Sequence, residues 1–161
     1  MRFEHLIEIN SPRPDWQATM PSFSRWQLWQ GLMQRVMAPQ RFENGPDRCD
    51  CETISPTLVR RTLVFGQHVL KDEVQLAAEE RLIFTPQAHD ETAPIRLTIQ
   101  IEEPQAHQMV LRFVYEAVGE QTAEEAYYND YRHSAWLHND RDMVKQLREW
   151  LHEGEFPSQP S

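Results

Sequence analysis

Apolar residues alternate along the middle of this 161-residue chain and then, from about Thr122 to His152, recur every three or four positions. Alternation marks strands with one dry face, and the wider spacing marks an amphipathic helix. At about 1.5 Å per residue the terminal helix reaches about 45 Å, enough to cross a small domain. Its apolar stripe, Ala126, Leu137, Val144, Leu147 and Leu151 with Trp136, Met143 and Trp150 beside it, needs a surface to cover it. The strands supply one, so an α+β fold follows: a curved antiparallel sheet wrapped around a long C-terminal helix, in the order β-α-β(6)-α.

The first strand spans residues 2–10, with Phe3, His5, Ile7 and Ile9 on one face. Residues 11–23 carry Pro12, Pro14 and Pro21 and form a connecting loop. Ser24 and Gln27 make a capping box that starts a helix, along which Trp26, Trp29, Leu32, Met33, Val36 and Met37 recur until Pro39 stops it. Gly31 permits another backbone to approach that helix closely. Strands follow at Cys49 to Ile54, Leu58 to Phe65, His68 to Leu76, Arg81 to Thr85, Ile95 to Glu102 and Val110 to Ala117, about seven in all. Gly66-Gln67 reverses one pair and Glu103 to His107 another. Thr122 and Glu125 form a second capping box. The segment His138-Asn139-Asp140 either continues the last helix or breaks it, with Asp140 capping the second piece. One domain is expected over 1–154, with a frayed tail at 155–161.

The net charge of -9 argues against a phosphate backbone or an anionic membrane as partner. No apolar run approaches the roughly 18 residues needed to span a bilayer, and the N-terminus MRFEHLIEIN is a strand pattern without a signal-like apolar region, so a cytoplasmic protein is expected. Five glycines leave no phosphate-binding loop. Cys49 and Cys51 share a strand face, where two thiols can oxidise or ligate a metal. With no second cysteine pair and no paired histidines at zinc spacing, two ordinary half-buried thiols are expected, and no metal or cofactor.

Several side chains on apolar faces could carry chemistry. His133 and Asp140 lie seven residues apart on the face of Leu137 and Val144. Pointing inward they form a titratable pair suited to acid/base work; alternatively His133 sits on an exposed flank and Asp140 is only a cap. His5 and Tyr115 sit in apolar alternations, as core residues or ligand contacts. Arg61 and Asp72 interrupt the apolar faces of neighbouring hairpin strands; they could pair, and a rim position or a polar contact to a ligand is equally open. Trp26, Trp29, Met33 and Met37 form an adaptable aromatic and thioether surface, suited to core packing or to a cavity wall. Tyr128 and Tyr131 lie off the helix stripe. Ser134 has no nucleophile elbow around it.

The element order, Leu28-Trp29-Gln30-Gly31-Leu32, Phe65-Gly66 at a hairpin, Ile99 to Pro104 ending in Glu-Glu-Pro, and Tyr131-Arg132-His133-Ser134-Ala135-Trp136 together resemble the AtaL-like family of the START-like (SRPBCC, helix-grip) superfamily. The resemblance runs over nearly the whole chain. It implies a sheet gripping the last helix around a cavity that holds a lipid, polyketide or aromatic metabolite. The Rieske cysteine and histidine pairs of oxygenase subunits are absent. Trp29, Met33, Phe113, Tyr115, His5, Arg61, His133 and Leu137 are the expected cavity residues. Three functions stay open: binding of a small hydrophobic molecule, an enzyme of the polyketide cyclase/dehydratase type using His133 and Asp140, and a homodimeric interaction module with an exposed aromatic patch.

Overall fold

A computed structural model describes residues 1–12, 21–88 and 93–158. Strand β1 (Arg2–Asn10) is followed by helix α1 (Arg25–Met37), a single 3-10 turn at Pro39–Arg41, and strands β2 (Arg48–Ser55), β3 (Leu58–Phe65), β4 (His68–Ala77), β5 (Arg81–Pro86), β6 (Ile95–Gln105) and β7 (Gln108–Ala117). A short helix α2 (Ala123–Tyr127) then precedes α3 (Asn129–His152). The seven strands form one antiparallel sheet in the order β1-β7-β6-β5-β4-β3-β2. Five hairpins make the run from β2 to β7, and β1 then pairs with β7 at the far side. The loop expected over 11–23 falls largely on 13–20, outside the described residues.

Alternation fixes which face is dry. Ile9 of β1, Val59 of β3, Val74 of β4, Leu82 and Phe84 of β5, Leu97, Ile99 and Ile101 of β6, and Leu111 and Phe113 of β7 all turn toward the helices and are buried. The same core takes Leu28, Trp29, Leu32 and Val36 from α1 and Met143, Val144, Leu147, Trp150 and Leu151 from α3. Each leucine-sized side chain removed from water contributes about 1.5–3 kcal/mol, so this layer dominates stability. The opposite face carries ion pairs, among them Arg112 between Glu4 and Glu102.

Both capping boxes form: Ser24 Oγ accepts from the Gln27 N–H, and Thr122 Oγ1 from the Glu125 N–H. Gly31 admits a side chain of α3 rather than a backbone, because a Cβ there would lie 2.9 Å from Leu147 Cδ2. The reversal expected over Glu103 to His107 is tighter: β6 continues through a register shift to Gln105, and His107, at φ 62°, turns the chain into β7.

Of the two alternatives at His138-Asn139-Asp140 the continuous one is observed: α3 runs unbroken through Asp140, and the interruption lies instead at Tyr128, where φ -90° and ψ 0° close α2. The phase of the apolar stripe therefore resets at Tyr128. Ala126, placed on the stripe by extrapolating one continuous helix, is exposed, and Glu125 is buried instead, accepting from the Ala93 N–H. Gly154 turns the chain at φ 79°, Phe156 is 7% exposed within the core, and Glu155 pairs with Arg41. One buried aromatic ring outweighs the polar, proline-containing composition around it.

Candidate ligand-binding site

Asp140 lies near the middle of α3 and is wholly buried. A lone carboxylate there would be costly, and the chain surrounds it with donors from three other elements. The Tyr115 hydroxyl of β7 donates to Oδ2 at 2.6 Å, His5 Nε2 of β1 lies 2.9 Å from the same oxygen, and Arg35 Nη1 of α1 donates to Oδ1 at 3.4 Å. Burial first, and then the negative charge of Asp140, hold the Tyr115 phenol above its ordinary range, so it stays a donor. Stacked rings close this end of the sheet: Tyr115 on Trp136 at 4.3 Å, His5 on Phe113 at 4.8 Å, and Phe3 on His133 at 4.2 Å.

The inward reading of Asp140 is therefore the observed one, and the cap reading is not. His133 does not join it: its ring stacks on Phe3, its Nε2 is buried without a partner among the described residues, and the partner of Asp140 is His5. The helical phase brings His133 to the Asp140 face, yet the two lie nearly two turns apart, and β1 supplies a closer imidazole.

Arg61 and Asp72 pair, as neighbouring hairpin strands allow, in a two-pronged contact at 2.9 and 2.6 Å. The third nitrogen, Nη1, donates to the Arg35 and Val36 carbonyls at the end of α1. Three elements are tied by one guanidinium, all three of whose nitrogens are thereby engaged. It also lies 5.1 Å from the centre of the Phe84 ring, with Arg35 at 5.9 Å.

A cavity of about 440 Å³ opens between α3, the end of α1 and the sheet from β3 to β6. Arg35, Arg61, Leu63, Phe84, Leu97, Trp136 and Met143 line its inner part, Phe65 and Leu70 its lip, and Glu43, Asn44 and Asp142 its polar rim. Of the residues expected to line it, Arg61 does. Trp29 and Phe113 belong to the solid core, His5 and Tyr115 to the Asp140 network, and Met33, His133 and Leu137 are half-buried elsewhere. The reason is lateral: rings and hydrogen bonds fill the space under β1 and β7, and the gap lies under β3 to β6. Leu63, Phe65 and Phe84 were legible as the alternate neighbours of Arg61 and Leu82. For Arg35, a basic residue in the last turn of a helix, no pattern pointed inward.

Cys49 and Cys51 face the same side as free thiols, their sulfurs 3.6 Å apart in a hydrogen bond rather than a disulfide. Burial, then the Cys51 hydrogen bond and the repulsion of that neighbouring thiol, push Cys49 up to about 12, so it remains a neutral thiol near pH 7. Among the described residues no three His, Cys, Asp or Glu side chains converge to hold a metal ion, and no helix is long and apolar enough to cross a membrane.

Comparison with solved structures returns the same fold. The di-domain ARO/CYC StfQ from the steffimycin biosynthetic pathway superposes with a TM-score of 0.66 at 10% identity, over 96% of this chain and 51% of that one. The chain thus spans about half the length of that di-domain protein. An aromatase/cyclase, Zhui, from a Streptomyces species aligns over 94% of this chain and 95% of its own, with a TM-score of 0.59 at 10% identity. The Aha1 dimer from Colwellia psychrerythraea gives 0.58 at 14% identity, over 94% and 96%. No curated protein matches the chain in sequence. Residues 7–154 match the family described as AtaL, acetylaranotin biosynthesis cluster protein L, and the chain belongs to that family.

Proposed function

We propose that this protein binds a small, largely hydrophobic metabolite in the cavity between β3–β6 and α3. The observation that carries the reading is the cavity itself. Its volume of about 440 Å³ falls within the range of small-molecule sites, about 300–1,000 Å³, and apolar walls meet a few convergent polar groups there. Membership of a family described by a biosynthesis cluster supports a metabolite such as a polyketide or an aromatic compound over a macromolecule. The test is native mass spectrometry on protein purified from its own host. A retained hydrophobic molecule, released on denaturation, is expected; apo protein that also binds nothing from an organic extract of that host would refute the reading.

A cyclase-type enzyme is the second reading, favoured by the buried Asp140 network. Asp140, His5 and Tyr115 do not line the cavity. The network reaches it through Arg35, which bonds Asp140, and through Trp136, which stacks on Tyr115. An acid or base at Asp140 would act on a ligand only after these two side chains moved, so binding is the better supported function.

A further inference from the structure

The inner and outer ends of the cavity differ in chemistry. At the inner end two guanidinium groups lie over the Phe84 ring, but they are not equivalent. The Arg61 guanidinium is engaged at every nitrogen, by Asp72 and two carbonyls. Arg35 is not: among the described residues its hydrogen bonds to Asp140 and to Met143 Sδ both leave from Nη1, and its side chain is 25% exposed. The Nε–H and Nη2–H groups remain for a ligand. They form a planar pair of donors suited to a carboxylate, or to an enolate and its neighbouring carbonyl.

The outer end is apolar and unusually open. Gly66-Gln67 closes the β3–β4 hairpin, and beside this turn Phe65, Leu70 and Val69 are 36%, 49% and 53% exposed. Phe65 and Leu70 line the cavity lip and also a shallow hollow along the hairpin tip that Val69 completes. The same two side chains therefore join the two spaces, and an apolar chain leaving the cavity meets apolar surface. Glu43 and Asp142 stand on the polar rim, where a second anion would be repelled.

Resting on the binding reading above, we infer that the ligand is an amphiphile held in one orientation. Its acidic or enolic head lies on Arg35 over Phe84, and its apolar tail passes between Phe65 and Leu70 onto the hairpin tip. The site thus selects for an acidic oxygen at one end and for length at the other.

Calorimetric titration with n-alkanoates from hexanoate to tetradecanoate, beside the matched primary alcohols, tests both parts. Each acid is expected to bind about tenfold tighter than its alcohol, the difference made by a hydrogen bond to a charged group. Arg35→Gln should erase that preference while keeping the dependence on chain length. Val69→Ser/Leu70→Ser, at exposed positions, should remove the gain of the longest chains, flattening the rise of affinity with chain length. Equal binding of acids and alcohols to the unaltered protein overturns the head assignment, and an unchanged gain in the double variant overturns the tail assignment. In both of those cases the cavity still binds and the function stands. If acids and alcohols alike fail to bind, the orientation and the binding reading fall together.

Discussion

Asp140 shows how one residue can fasten a fold. Its carboxylate joins α3 to β1, β7 and α1 through His5, Tyr115 and Arg35, so its removal orphans groups on three elements at once. Asp140→Ala is expected to lower the unfolding free energy by about 2–5 kcal/mol in urea titration, since a buried polar group left unpaired costs about 1–3 kcal/mol and a broken buried pair more. The Arg35 side chain, partly in water, can resolvate and keeps the loss from being larger. A change below about 1 kcal/mol would mean that the network is decoration on a core that stands without it. At this scale the sequence was informative about which residues were anomalous and silent about their partners. Periodicity exposed His5, Arg61, Asp72, Tyr115 and Asp140 as polar groups on apolar faces. It could not say that Asp140 would meet His5 rather than His133, because that choice depends on how β1 docks against α3, a contact across 135 positions of sequence.

Between the elements, α1 and α3 meet at Gly31. An alanine there would gain about 1 kcal/mol of helix propensity, yet its Cβ would fall 2.9 and 3.1 Å from the two methyls of Leu147, a fully buried side chain. Overpacking of a closed core costs about 1–3 kcal/mol, so Gly31→Ala is expected to destabilise by about 1 kcal/mol net. In a Leu147→Ala background the same change should be neutral or stabilising, a coupling that a double-mutant cycle reads directly. Strand positions, both capping boxes and the stop at Pro39 were legible because each depends on residues within a few positions of one another. The break at Tyr128 was not. Neither Gly nor Pro marks it, and the local sequence fits a continuous helix, whereas Glu125 in α2 is buried with its carboxylate accepting from the distant Ala93 N–H.

Taken as a whole, the molecule is asymmetric across its sheet. Under β1 and β7 the layer between strands and helix is filled by stacked rings and the Asp140 network; under β3 to β6 it holds a cavity. The grip of sheet on helix was readable from the order of alternating and helical segments, and the family resemblance, which the match over residues 7–154 bears out, pointed the same way. Which side stays hollow was not readable, since it depends on the curvature of seven strands and on where large side chains meet after folding. Filling the hollow is therefore the most direct test. Leu63 lies on its wall, and Leu63→Trp would project an indole into the open volume, which Asp140, His5 and Tyr115 do not line. The decisive measurement is the melting temperature of the two proteins with and without a saturating hydrophobic ligand that raises the melting point of the unaltered one. Leu63→Trp should melt within a few degrees of the unaltered protein when free and lose the ligand-induced rise. An undiminished rise in Leu63→Trp would place binding elsewhere and contradict the account.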